Sequence, residues 1–312
     1  MQVWLVRTGP PGAVAAAAGT AAEAGIEAGT AAEAGIEAGA AGSAGLEAET
    51  AAVAELAALL DADERARADR LEPAGRRRFT VSHGAVRIIV GRCLDTAPQR
   101  IRWSHGRYGK PALADATAGL EVNLSHSGDL AVVAVSRGRP VGVDVQRLLP
   151  RLDPVAMSLR YFPPVEVRFV TGADDPAERS DRFTRLWARK EACVKAAGGR
   201  LADGLRLPVH RPDDEAGREP AELLVGEVEP ARRPDRAGRP GGPEGPDGPA
   251  APGGPEWPDG PGKPDRAGGS DGTGSGRFRV RDLLVPPGYR AAVALLGADP
   301  FATTVRWWNP DD

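Results

Sequence analysis

Val141-Gly142-Val143-Asp144-Val145-Gln146 reads as a strand with two unlike faces. Side chains alternate along extended backbone, so Val143 and Val145 go to one side and Asp144 with Gln146 to the other. A carboxylate and an amide oxygen two residues apart at a strand end can share a hard cation such as Mg²⁺, which takes oxygen ligands in near-octahedral geometry. The plainer reading is that Asp144 ends the strand as a turn former. Downstream, Phe183–Ala197 (FTRLWARKEACVKAA) has helical spacing and stops at Gly198-Gly199. At about 100° per residue, Phe183, Trp187 and Val194 form an apolar stripe, with Glu191 and Lys195 on one margin and Lys190 on the other. An exposed Glu–Lys pair at i,i+4 stabilises a helix by only about 0.2–0.5 kcal/mol. The same pair held at the rim of an apolar face is partly desolvated, which suits a second metal carboxylate beside a phosphate-binding ammonium.

Outward from this pair, the chain alternates short strands and long helices. Gln2–Arg7 (QVWLVR), Ile101–Trp103, Leu120–Leu124, Leu130–Ser136 and Pro140–Val145 are predicted strands, with turns at Gly128-Asp129 and Gly138. Glu222–Val228, Phe278–Leu284 and Tyr289–Leu296 follow on the C-terminal side. One helix is predicted over Thr50–Leu71, with Arg65, Arg67 and Arg70 projecting from its second half. A second runs from Pro73 to about Leu94, burying Phe79, Val86, Val90 and Cys93. Arg76, Arg77 and Arg78 crowd its start, where the helix dipole already places positive charge. They are either a solvated basic turn neutralised by Asp69 and Glu72 or part of an anionic-ligand site.

Two stretches of the 312 residues cannot build a core. Residues 10–52 hold 19 Ala and 8 Gly with no basic residue, including the decapeptide GTAAEAGIEA at Gly19–Ala28 and again at Gly29–Ala38. One Ile per repeat gives no solenoid face, so this is expected to be a mobile insertion. Residues 231–276 hold 14 Gly and 10 Pro and are expected to form a disordered loop within a sheet. The net charge of −3 excludes a generally basic nucleic-acid binder and gives no reason to expect membrane attraction, so any anion site must be local. Cys93 and Cys193 have no second Cys or His at metal-ligand spacing and form no disulfide framework. Met1–Thr8 lacks a basic leader and apolar run, and a reduced, cytoplasmic protein is expected.

Two further stretches carry polar chemistry. Asn123-Leu124-Ser125-His126-Ser127-Gly128 offers hydroxyls, an imidazole and backbone amides that can donate to phosphate oxygens. Adjacent Ser and His seldom align for proton transfer, which argues against a serine-protease reading. Tyr108-Gly109-Lys110-Pro111 is no Walker loop, since Ser104 stands where its first Gly belongs and Pro111 follows the Lys. Taken in order, YGKP (108–111), NLSHS (123–127), GVDV (142–145) and WARKEACVK (187–195) resemble the successive motifs of the 4'-phosphopantetheinyl transferase superfamily. The likeness is to its monomeric, two-half branch, which activates peptide and polyketide synthases. Pro287-Gly288-Tyr289 is similar to the family's C-terminal part.

The resemblance implies an α+β fold of two pseudo-twofold related halves, 1–139 and 140–312, each a small antiparallel sheet packed with a long helix. It implies transfer of 4'-phosphopantetheine from coenzyme A to a serine of an acyl or peptidyl carrier protein of a polyketide, nonribosomal peptide or fatty acid synthase. It further implies that Asp144 and Glu191, with Gln146, hold Mg²⁺, that Lys195 neutralises the departing phosphate, and that Glu191 or a metal-linked water takes the serine proton. Lys110, Ser125 and His126 would bind coenzyme A phosphates, Tyr108 and Pro111 would lie along the nucleotide, and Arg65, Arg67 and His83 would reach the 3'-phosphate. Many relatives carry Glu where this chain has Gln146, which removes one negative charge. A non-catalytic coenzyme A or carrier-protein binding module is the rival reading.

Overall fold

The computed structural model describes residues 1–10, 43–106, 108–115, 119–211, 223–225 and 276–310. In chain order the elements are β1 (Gln2–Arg7), α1 (Ser43–Leu59), α2 (Ala62–Ala68), α3 (Pro73–Leu94), β2 (Trp103–His105), β3 (Pro111–Leu113), β4 (Leu120–Ser127), β5 (Leu130–Arg137) and β6 (Val141–Arg147). Then come α4 (Pro154–Tyr161), α5 (Pro164–Thr171), α6 (Pro176–Ala197), α7 (Leu201–Gly204), β7 (Leu223–Val225), β8 (Phe278–Leu283), β9 (Tyr289–Leu296) and β10 (Thr304–Trp307). The decapeptide repeats and the Gly/Pro tract up to residue 275 lie outside the described residues. Strands β7 and β8, which flank that tract, pair antiparallel, so the tract interrupts one sheet.

The fold is α+β, as the sequence predicts. One sheet has the order β10-β1-β5-β4, the other β6-β9-β8-β7, and β2-β3 form a small ribbon. They pack as four layers, α3, first sheet, second sheet and α6, because the central strands are apolar on both faces. In β1, Trp4 and Val6 turn toward α3, where they join Val81, Ala85 and Ile89, while Val3 and Leu5 face the seam between the sheets. In β6, Val141, Val143 and Val145 enter the same seam, and their alternation sends Gly142 and Asp144 toward α6. Strand β10 pairs parallel with β1, so the C-terminal end completes the N-terminal sheet across the expected boundary near residue 140.

Three local expectations are corrected. The single helix Thr50–Leu71 is broken after Leu59, because Asp61 caps α2 through the Glu64 N–H and Glu64 returns the bond to the Asp61 N–H. Helix α6 begins at Pro176, earlier than its apolar stripe, because Asp175 caps it. The strand expected at Ile101–Trp103 is displaced to Trp103–His105, since a 3₁₀ turn over Pro98–Arg100 occupies the approach. Among the described residues no helix is long and apolar enough to cross a membrane.

Candidate active site

The site is created by a close approach. A Cβ on Gly142 would lie 2.1 Å from the Ala192 carbonyl oxygen and 2.3 Å from the Ala196 nitrogen, so only glycine lets α6 settle this near to β6. Two residues further along the same face, Asp144 is 1% exposed and meets the Lys195 ammonium at 2.5 Å. Ser125 Oγ donates to Asp144 Oδ1 at 2.8 Å and accepts from Lys195 Nζ at 3.0 Å. The Gln146 amide donates its Nε2 to Asp144 Oδ2 at 3.0 Å. That orientation is the one a carboxylate acceptor requires, and it directs the NH₂ group, not the oxygen, at Asp144.

Glu191 lies one helical turn before Lys195 and is 4% exposed. Its Oε1 is buried without a hydrogen-bond partner, and the Trp187 side chain hydrogen-bonds to the carboxylate. Burial, reinforced by the Asp144 charge and opposed by Lys195 and Trp187, pushes the Glu191 carboxyl up to about 7. Two carboxylates from neighbouring elements, one with an unsatisfied buried oxygen, fit a hard divalent cation. Among the described residues no group of three or more His, Cys, Asp or Glu side chains gathers. A cation held here would therefore take further oxygens from water or from its ligand.

The edges of the two sheets are joined beside this cluster by a device that composition did not reveal. Asn123, Ser125 and Ser127 alternate along β4, and their side-chain oxygens accept from the N–H groups of Val143 (2.8 Å), Val145 (3.3 Å) and Arg147 (3.0 Å). Those amides point away from β9, and the ones on Val143 and Val145 would otherwise be buried without partners. The Asn-x-Ser-x-Ser spacing carried this signal, since period two on a strand places all three on one side.

Histidine and arginine side chains continue from the cluster. Desolvation lowers His126 to about 4 although the residue is exposed, and the charges of His83, Lys195, Arg67 and Arg78 push the same way, so its imidazole is neutral at pH 7. His83 stacks on Phe79 at 3.8 Å and contacts Glu64 at 3.2 Å, while the Arg67 guanidinium lies over Phe79 at 5.4 Å. Arg65 is turned elsewhere and donates to the Leu60 carbonyl. At the helix start, Arg76 pairs with Asp69, Arg77 with Glu49 and Arg78 with Asp129.

The remaining predicted residues lie around the C-terminal end of α6. Lys110 donates to the carbonyls of Val141 (3.1 Å) and Ala196 (3.2 Å), placing positive charge at the helix terminus, and burial lowers its pKa. Tyr108 is 39% exposed with the Arg200 guanidinium 4.8 Å over its ring. Pro111 pairs with His105 in the small ribbon. Lys190, placed by its spacing on the far margin of the helix, is instead fully buried and ion-paired to Glu166 at 2.6 Å.

Fold and site together define a two-sheet α+β protein whose acid–lysine cluster lies beside histidine and arginine side chains, a class suited to phosphate-bearing ligands. Residues 140–232 match the 4'-phosphopantetheinyl transferase superfamily, and the resemblance carried by GVDV and WARKEACVK is shown on the segment that contains them. The chain is 40% identical over 151 residues to the 4'-phosphopantetheinyl transferase HetI of Nostoc sp., an alignment covering 47% of this chain and 63% of that protein. It is 36% identical over 127 residues to the 4'-phosphopantetheinyl transferase AcpT of Salmonella typhimurium, covering 41% and 62% respectively. With the 4'-phosphopantetheinyl transferase Sfp of Bacillus subtilis it shares 32% identity over 124 residues, covering 40% and 51%. The chain thus spans less than two thirds of the length of these curated relatives.

Proposed function

We propose that this protein transfers 4'-phosphopantetheine from coenzyme A to a serine of an acyl or peptidyl carrier protein, releasing adenosine 3',5'-bisphosphate. The observation that carries this reading is the meeting of Asp144, Glu191 and Lys195 where Gly142 lets α6 touch β6. Asp144 and Glu191 would hold Mg²⁺, which when bound would offset charge on the pyrophosphate oxygens of coenzyme A. The serine oxygen attacks the pantetheine-side phosphorus and its proton passes to the Glu191 carboxylate. The bond from that phosphorus to the bisphosphate oxygen breaks, and the Lys195 ammonium stands beside the departing group. Ser125 holds Lys195 and Asp144 in register, while the uncharged His126 would donate a hydrogen bond to a phosphate and Arg67 would offer it a positive charge. Tyr108, Lys110 and Pro111, near the end of α6 through the contacts of Lys110 with Ala196 and of Arg200 with Tyr108, would lie along the nucleotide. A monomer acting in a reducing cytoplasm belongs to this proposal; Cys93 and Cys193 are free thiols.

Gln146 favours the second reading, a binding module without catalysis, because its amide replaces a third carboxylate. Mass spectrometry of an apo carrier protein after incubation with this protein, coenzyme A and Mg²⁺ separates the two. A gain of one phosphopantetheinyl group, reduced at least about a hundredfold in rate by Asp144→Ala or Glu191→Ala, is the expected result. Coenzyme A binding without any gain in carrier mass overturns the transferase reading.

A further inference from the structure

A cavity of about 730 Å³ opens at the other end of the strands from the site. It is bounded by Leu120, where β4 begins, and Arg137, where β5 ends, whereas the candidate active site uses Ser125 to Ser127 at the hairpin end of the same pair. Four arginines line it: Arg92, Arg137, Arg139 and Arg306. Among the described residues none of them pairs with a carboxylate. Arg92 donates to the Pro310 carbonyl and Arg137 to the Cys93 carbonyl. Arg139 spends its donors on the carbonyls of Leu296, Gly297 and Asp299, and Arg306 lies 4.9 Å over the Trp4 ring. Carbonyl partners satisfy hydrogen bonds but leave the positive charge without a carboxylate partner among the described residues, so the rim of the cavity carries net positive charge. The buried apolar side chains of Trp4, Ile89 and Leu295 also contribute to its lining, and the indole N–H of Trp308 is buried there without a partner among the described residues.

We propose that this cavity is a second ligand site, separate from the coenzyme A cleft, for a small organic anion: a carboxylate or phosphate group on a flat, apolar body. The anionic group meets Arg137 and Arg306, whose guanidinium groups still have unused donors. The apolar body lies against Phe301 and the Trp308 indole, which line the cavity and are only partly buried. The volume falls in the range of ordinary small-molecule pockets, and a few convergent polar groups on an apolar lining are what such pockets share.

The test uses the full chain and 8-anilinonaphthalene-1-sulfonate, a flat aromatic anion whose fluorescence reports binding, with 1-naphthalenemethanol as its uncharged counterpart. Arg306→Ala changes an exposed side chain and leaves the fold in place; Arg137→Ala gives an independent second variant. Each is expected to weaken binding of the sulfonate about tenfold and leave the alcohol unchanged, while Lys195→Ala and added coenzyme A alter neither. Cys93 lines the cavity and Cys193 is fully buried, so thiol labelling provides a native footprint. The sulfonate should slow labelling of Cys93 in the parent protein and fail to do so in Arg306→Ala. Equal sulfonate affinity in the parent and both arginine variants, or displacement of the sulfonate by coenzyme A, overturns the proposal.

Discussion

Helices α3 and α6 are built from the same plan and put to different use. Each has 22 residues, begins with proline after an acidic cap, Glu72 or Asp175, and ends at a residue in the left-handed region, Asp95 (φ 50°) or Gly198 (φ 65°). Each buries a cation in its interior turns. Arg87 of α3 is held by Asp61 and Glu64, both partly open to water, and by the carbonyls of Pro98 and Ile101. Lys190 of α6 is sealed against Glu166, with neither side chain exposed. The decisive difference is at the sheet. Val81, Ala85 and Ile89 on α3 meet an apolar sheet face, whereas α6 descends on Gly142 and brings Glu191 and Lys195 to Asp144. A glycine in the strand therefore converts an ordinary helix–sheet contact into a pocket for charged groups.

The strongest way to break this comparison is to remove one buried cation at a time. Lys190→Met leaves Glu166 charged in the core, satisfied only by the N–H groups of Val209 (2.6 Å) and His210 (3.1 Å). The expected loss is about 3–5 kcal/mol by chemical denaturation, with most of it recovered in Lys190→Met/Glu166→Gln. Arg87→Met should cost less, since water reaches Asp61 and Glu64. Equal losses would show that sealing of the pair does not distinguish the two helices.

The N-terminal cluster also makes a prediction in pH. Burial alone would raise Glu64, but hydrogen bonds from His83 and the Asp61 N–H, the His83 charge and Arg87 hold it down at about 2, against an ordinary value of 4.5. On acidification the unfolded chain takes up this proton first. Its contribution is thus complete above about pH 4.5 and is lost as the pH falls toward 2, up to about 3 kcal/mol. Denaturant midpoints of the parent should drop more steeply through this window than those of Glu64→Gln. Parallel curves would remove Glu64 from the account of acid stability.

How much of this was legible depended on whether the signal was local. Alternation in β6 and the spacing of Glu191 and Lys195 are short-range patterns, and the structure brings Asp144 to Lys195 as those patterns imply. The break at Asp61 was also local, an Asp-x-x-Glu box, but the continuing run of alanines and arginines masked it. Other features are tertiary. The pairing of β10 with β1 joins residues some three hundred positions apart. The burial of Lys190 depends on Glu166 in a different helix, and the service of Asn123, Ser125 and Ser127 to β6 depends on which strand edge faces β4. Periodicity assigns a residue to a face but does not say what will cover it.

A gentler probe contrasts the two helices at glycine. Gly142→Ala sets a methyl group against backbone atoms of α6, which can yield only by moving the helix. The expected cost is about 1–3 kcal/mol, with a larger fall in transfer rate because Glu191 and Lys195 move with it. Gly84→Ala in α3 meets the Leu56 side chain instead, its nearest atom at 2.8 Å. That atom is the Leu56 Cβ, fixed to the α1 backbone, so the gain of about 1 kcal/mol in helix propensity offsets only part of the crowding, and a cost smaller than that of Gly142→Ala is expected. Thermal denaturation of both variants, with carrier-modification rates for Gly142→Ala, checks the pair. If Gly142→Ala were as mild as Gly84→Ala, the close approach would not be what builds the site.

The smallest effect concerns the one side chain that separates this site from a three-carboxylate arrangement. Gln146 donates to Asp144 Oδ2, so Gln146→Glu removes a hydrogen bond and sets a like charge two residues away on the same strand face. Without a divalent cation the variant should be slightly less stable than the parent, because Asp144 already raises Glu191 and a third carboxylate adds to the repulsion. Mg²⁺ should reverse that order, since the added carboxylate offers a charged oxygen to a hard cation. The expected readouts are a larger Mg²⁺-dependent rise in melting temperature than in the parent and a lower Mg²⁺ concentration for half-maximal carrier modification. The saturating rate should stay nearly the same, because the proposed base, Glu191, is unchanged. An unchanged Mg²⁺ requirement would mean that side chain 146 supports Asp144 and never reaches the metal. A saturating rate raised about tenfold, equivalent to about 1.4 kcal/mol of barrier, would move the base from Glu191 to position 146.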